Sequence, residues 1–221
     1  MHSAVHMSTV GTVKLITLGD VGVGKTAVSA AVYGCPVPAP GPTLGVDYLS
    51  RKWSRPVDGT PSDDTDTLLQ LHCYDTSGQE RFSGALTPTY IRSADVCMLV
   101  LDAASDDEFA ADRLRHWYKM CTLHGPPSVR HVVVLNRSDT VPEDRRPFVS
   151  GPELGRALLV SGLQRYHVTC AVTGDGIDAL RRDIIELAWK SHDARVHRSS
   201  VRRPRLLAPV SPSAWRCRRC C

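Results

Sequence analysis

Residues Gly19-Asp-Val-Gly-Val-Gly-Lys25-Thr26 match the pattern G-x-x-x-x-G-K-[ST] and directly follow an apolar run from Val13 to Leu18. The stretch after them, Ala27-Val-Ser-Ala-Ala-Val32, favours a helix. A strand that turns through glycines into a helix is a loop built to hold phosphate. Glycines at Gly19, Gly22 and Gly24 let successive backbone N–H groups, those of Asp20, Val21 and Val23 among them, curl around anionic oxygens. Lys25 adds a positive charge, Thr26 offers a hydroxyl to Mg²⁺, and the helix start supplies a positive dipole end.

Around this loop the pattern repeats. Val13 to Leu18, Leu68 to Tyr74, Val96 to Leu101, Val132 to Leu135 and Tyr166 to Ala171 read as strands. Helical stretches are expected near 26–33, 106–123, 151–162 and 176–191, the last placing Ile177, Leu180, Ile184, Leu187 and Ala188 on one face. Strands alternating with helices predict an α/β fold: a doubly wound, mostly parallel sheet with helices on both faces. In such sheets ligands gather at the carboxyl ends of the strands. Three polar loops, at residues 19–26, Asp75-Thr-Ser-Gly78 and Asn136-Arg-Ser-Asp139, each follow a strand and are expected to meet in one crevice.

At 221 residues and 42% hydrophobic content the chain has material for one good core, so one domain plus a tail is expected. We divide it into an N-terminal extension (1–11), a nucleotide-binding domain (12–193) with an enlarged loop at 51–66, and a disordered basic tail (194–221). The N-terminus lacks a long apolar segment, and no stretch approaches the roughly 20 apolar residues of a membrane span. A soluble cytosolic protein follows, with Cys73, Cys97 and Cys170 as core residues in a reducing compartment. The tail carries eight arginines and no acid, which against a whole-chain charge of +4 leaves the body mildly acidic. An acidic body argues against nucleic acid as a partner.

Thr43-Leu-Gly-Val-Asp-Tyr48, Tyr74-Asp-Thr-Ser-Gly-Gln-Glu-Arg-Phe82, Asn136-Arg-Ser-Asp139 and Thr169-Cys-Ala171 complete the set. In this order and spacing, from about Val13 to Trp189, the chain resembles the Rab branch of the Ras superfamily of small GTPases, and the nine residues ending at Phe82 resemble its WDTAGQERF pattern. The resemblance implies GTP and GDP as ligands, with Mg²⁺ held by Thr26, Thr43 and Asp75. Gly78 would contact the γ-phosphate and Gln79 would orient the attacking water. Asn136, Asp139 and the Ala171 N–H would read guanine; taken alone, Asn136 and Asp139 are also ordinary turn formers. Leu44, Gly45, Val46, Asp47, Tyr48 and Phe82 would form the switch surface read by effectors.

The paired Cys220 and Cys221 at the end resemble a Rab double-cysteine lipidation site, beside Arg216, Arg218 and Arg219. Two lipid chains, or one with a basic segment, hold a protein stably on an anionic membrane. A solvated basic tail with incidental cysteines and half of a zinc site through Cys217 and Cys220 are the competing readings, and the zinc site lacks two further ligands. The resemblance further implies an exchange factor, a GTPase-activating protein, an escort protein, a GDP-dissociation inhibitor and GTP-state effectors. It places the protein on the cytoplasmic face of an intracellular membrane, cycling with the cytosol, as a switch in vesicular trafficking.

Some positions depart from the pattern. Arg137 replaces the family's lysine, Cys170 its serine and Val172 a second lysine, and Val21 crowds the place where attacking water must fit. The first three predict weaker nucleotide binding than is usual for the family and Val21 predicts slow hydrolysis; together they keep open an alternative, a nucleotide-bound membrane adaptor that hydrolyses weakly.

Overall fold

The computed structural model describes residues 8–39, 41, 43, 45–57, 60–61, 67–76, 88–141, 151–163 and 166–201. Its main sheet has six strands in the order β2-β5-β1-β6-β7-β8. These are β1 (Ser8–Gly19), β2 (Val46–Ser54), β5 (Thr67–Thr76), β6 (Val96–Asp102), β7 (Arg130–Asn136) and β8 (Tyr166–Val168). All neighbours are parallel except β2, which runs antiparallel to β5 along one edge. The expected doubly wound sheet is therefore present.

Alternation along β1 explains the layering. Val13 and Leu15 point to one face, where α1 (Lys25–Tyr33) and α4 (Ile177–Val201) contribute Val28, Val32, Leu180 and Ile184. Ile16 and Leu18 point to the other, where α2 (Asp107–His124) and α3 (Pro152–Val160) contribute Leu114, Trp117 and Leu154. With a helix layer on each face, β6 is buried along nearly its whole length, which is why Val96 to Leu101 reads as one unbroken apolar run. Cys73, Cys97 and Cys170 are buried free thiols as expected, and Cys121 joins them. Burial pushes the Cys73 thiol up to about 12, against the hydrogen bonds it makes with Thr17 and Ser29.

The boundaries shift in three places. Residues 8–11 belong to β1 rather than to a separate extension, since Ser8 to Thr12 pair with Thr67 to Gln70. Gly11 is needed there: a Cβ on it would stand 2.6 Å from the His192 ring. Arg51 to Ser54 complete β2 rather than opening the loop, and beyond them β3 (Pro56–Val57) and β4 (Thr60–Pro61) form a two-stranded hairpin. Finally, α4 runs past residue 193 to Val201. Tertiary contacts hold this extension: Arg55 grips Asp193 with both terminal nitrogens (2.9 and 3.1 Å) and lies 4.4 Å over the Trp189 ring. Arg195 reaches the Thr12 carbonyl and the Asp95 carboxylate (3.3 Å). Among the described residues no helix is long and apolar enough to cross a membrane.

Helix ends are fixed by long-range partners. The carbonyls ending α1 accept from Arg181 (Ala31 O, 2.8 Å; Val32 O, 2.7 Å) and Arg51 (Tyr33 O, 2.7 Å), cations where the helix dipole is negative. The Asp107 carboxylate caps α3 through the N–H groups of Glu153 (2.7 Å) and Leu154 (2.9 Å). Asp107→Ala is expected to cost about 1–2 kcal/mol and to lower the thermal midpoint by about 4 °C in a chain of this size. An unchanged midpoint in a calorimetric scan would show that α3 is positioned by its apolar face alone.

Candidate functional site

The crevice is built at the carboxyl ends of β1, β5 and β7. β1 ends at Gly19, whose backbone passes so close to β6 that a Cβ would lie 2.2 Å from the Val100 carbonyl oxygen. The turn continues through Gly22 (φ 81°) and Gly24 (φ 87°), both in the left-handed region that glycine alone adopts freely. Helix α1 then begins at Lys25 with no side-chain cap and no acid in its first turn. Its free N–H groups and dipole are left to an anion.

Lys25 is almost fully buried and donates to the Asp20 carbonyl at 2.7 Å, folded along the loop it serves. Burial pulls its ammonium below the usual lysine range, with Asp75 and Asp20 partly restoring it.

Beside it the three expected metal ligands converge from separate elements. Thr26 Oγ1 donates to Asp75 Oδ2 at 2.5 Å and lies 2.7 Å from Thr43 Oγ1. The other carboxylate oxygen, Asp75 Oδ1, is buried and has no hydrogen-bond partner. Desolvation raises the Asp75 carboxyl to about 6, although Thr26 and Lys25 pull it back. Two hydroxyls and an unpartnered buried carboxylate oxygen are hard oxygen donors suited to Mg²⁺, so the residues fit that ion.

The side expected to face the base is anchored by Asn136, 2% exposed at the end of β7. Its Nδ2 donates to the Val23 carbonyl in the phosphate loop (3.0 Å), and its Oδ1 accepts from Thr169 Oγ1 and from the Ala171 N–H, both at 3.2 Å. Asn136 thus ties three loops together, and Gly24 is obligatory because a Cβ there would stand 2.3 Å from Asn136 Nδ2. Asp139 is exposed, and its Oδ1 accepts from the Cys170 thiol at 3.2 Å. The thiol can therefore orient the carboxylate where a serine hydroxyl was expected. Arg137 takes a left-handed backbone (φ 68°) and binds Asp102 at 2.6 Å, so its guanidinium is engaged away from the phosphate loop. Val172 is 79% exposed.

Val46, Asp47 and Tyr48 lie on the edge strand β2, with Asp47 opposite Asp75 and Tyr48 opposite Tyr74. Gly45 precedes them in a left-handed turn. Sequence reasoning missed what surrounds Tyr48: His72 stacks on it, Tyr74 meets it edge-on, Tyr90 follows at 5.4 Å, and Lys14 lies 4.5 Å over the Tyr74 ring. The signal was present, since Lys14, His72 and Tyr74 stand on neighbouring strands in register. Gly78, Gln79, Leu44, Phe82, Cys220 and Cys221 lie outside the described residues.

Comparison with known proteins agrees with this geometry. The family model described as "Ras of Complex, Roc, domain of DAPkinase" matches residues 14–139, more than half of the chain. The chain is similar to the GTP-binding protein yptV2 of Volvox carteri, 28% identical over 218 residues, covering 95% of this chain and 94% of that protein. It is 30% identical over 179 residues to Ras-related protein Rab-8A of Gallus gallus, covering 77% of each. It is 30% identical over 129 residues to Ras-related protein Rab-22A of Homo sapiens, covering 58% of this chain and 60% of that protein. A six-stranded sheet of this order, a phosphate loop with an open helix start and these matches lead to one assignment: the chain belongs to the Ras-type small GTPases, alongside the Rab and Ypt proteins.

Proposed function

We propose that the protein is a membrane-anchored switch that binds GTP and GDP with Mg²⁺, hydrolyses GTP and recruits effectors in vesicular trafficking. The observation that carries this reading is the meeting of Thr26, Thr43 and Asp75 beside Lys25 at the uncapped start of α1. Thr26, Thr43 and Asp75 would hold Mg²⁺, which when bound would supply positive charge to the phosphates. The loop N–H groups and Lys25 bind and orient the phosphates, and Gln79 positions the attacking water, with Gly78 on the γ-phosphate. Asp139 accepts from the guanine edge that adenine lacks, while Asn136 holds the base loops in register.

Thr43 is the part of the switch that the nucleotide state changes. It stands one hydroxyl away from Thr26, so a bound γ-phosphate can draw it in and GDP can release it, carrying Val46 to Tyr48 with it. The aromatic surface of Tyr48, Tyr74 and Tyr90 adjoins this segment and suits GTP-state effectors. Cys220 and Cys221 receive lipid, and the basic segment before them reinforces attachment to the cytoplasmic face of an intracellular membrane. The exchange factor, GTPase-activating protein, escort protein and GDP-dissociation inhibitor belong to this same cycle. The test is to release and identify the nucleotide of the purified protein, then follow a GTP load with Mg²⁺. Decay to GDP supports the switch; empty protein counts against it.

A second reading, the weakly hydrolysing adaptor, is favoured by Val21, whose side chain stands 58% exposed in the phosphate loop. A branched side chain there would narrow the space for an attacking water. Val21→Ser is expected to raise single-turnover GTP hydrolysis by about tenfold, because small misplacements of an attacking group are costly. Equal rates for the two proteins would remove the steric argument.

A further inference from the structure

The second residue of the phosphate loop is an acid, at a place where the loop must attract anions. Asp20 is held at both ends. Its carbonyl accepts from Lys25 Nζ at 2.7 Å, and its carboxylate turns to α2, where Oδ1 accepts from Arg113 Nη2 at 2.5 Å and Trp117 Nε1 at 2.9 Å. Arg113 and Trp117 are one helical turn apart, and Trp117 is buried. The Arg113 and Asp20 side chains are only 20% and 23% exposed, so solvent screens their attraction poorly. An unneutralised carboxylate at this position would repel the phosphates that the neighbouring N–H groups are meant to bind.

We propose that Arg113, acting through Asp20, is a positioning residue for the nucleotide. It neutralises the loop's own acid, draws that carboxylate toward α2 and so fixes the carbonyl on which Lys25 rests. Nucleotide retention is thereby coupled to α2, an element that reaches the phosphate loop from 93 residues away in sequence. Trp117 supplies direction and Arg113 supplies charge. This inference rests on the nucleotide-site reading above.

The test is a double-mutant cycle on the full chain, loaded with radiolabelled GDP and Mg²⁺, reading the release rate. Arg113→Met is expected to speed release by about tenfold, and Arg113→Lys by less, since the ammonium keeps the charge. In an Asp20→Asn background, where no charge is left to neutralise, Arg113→Met should change release by less than about twofold. A purely structural role for Arg113 would not be relieved by Asp20→Asn. The same acceleration in both backgrounds, or none in either, would overturn the proposal. If Arg113→Met alone fails to fold, recovery of folded, GDP-retaining protein in the double variant supports the proposal, and failure there as well overturns it. Wild-type protein that retains no GDP overturns the nucleotide-site reading and this inference together; wild type and Arg113→Met that retain it equally overturn this inference alone.

Discussion

Asn136→Ala is expected to release nucleotide at least about 100-fold faster and to lower the thermal midpoint by about 10 °C. The side chain joins the phosphate loop, through Val23, to the two residues that flank Cys170, and nothing in the mutant replaces it. Truncation leaves the Val23 carbonyl and the Ala171 N–H without these partners, each worth about 1–3 kcal/mol when buried and unpaired. A loss of about 3–5 kcal/mol is a large part of the stability of an ordinary domain. Retention suffers more than stability, because the phosphate loop and the base loop lose their common register at once. Thr169→Val removes one of the three ties and serves as the graded comparison, with a loss near 1 kcal/mol. Calorimetry and GDP release on the two variants check this; a midpoint unchanged in Asn136→Ala would mean that the three bonds carry no net free energy.

The parts of this architecture legible in the sequence are those whose physics is local. Val13 to Leu18 fills both core faces by simple alternation, and Gly19 to Thr26 allows few backbones other than the one observed. Strand β2 was not legible because both of its faces are half wet: Ser50, Arg51 and Lys52 sit exposed in its middle, and only Leu49 and Trp53 pack against the core. The far end of α4 was hidden for a different reason. Its arginine-rich composition reads as a solvated arm, yet Arg195 is held by Thr12, 183 residues away, and Asp193 by Arg55. Long-range polar contacts leave no periodic trace in a chain. The same holds within the site, where Asp20 looks like one more variable loop position until Arg113 and Trp117 are seen beside it.

The proposed metal ligand Asp75 is itself a source of instability in the ligand-free protein, and this sets the second large effect. Asp75 is 1% exposed, one of its oxygens has no partner, and its carboxyl is raised to about 6 from an unfolded value of 3.8. A carboxyl raised by folding holds its proton more tightly in the fold than in the unfolded chain. Asp75's own contribution is therefore most favourable below about pH 4, is lost as pH climbs from about 4 to about 6, and leaves the ligand-free fold weakened at neutral pH by roughly 2–3 kcal/mol. Asp75→Asn removes the buried charge but leaves an amide that lacks a full set of partners. Its net gain at pH 7.5 is accordingly smaller, about 1–2 kcal/mol, or about 3 °C in the thermal midpoint, and the loss between pH 4 and pH 6 becomes shallower than in wild type. Mg²⁺ and GDP are expected to reverse the ranking, because wild type gains stability by mass action in proportion to its affinity and the variant lacks the carboxylate proposed to hold the ion. Thermal scans of both proteins from pH 4 to pH 8, with chelator and then with Mg²⁺ and GDP, should therefore cross. Parallel curves under the two conditions would show that the Asp75 charge is compensated in the free protein and that the crevice is not tuned to a cation.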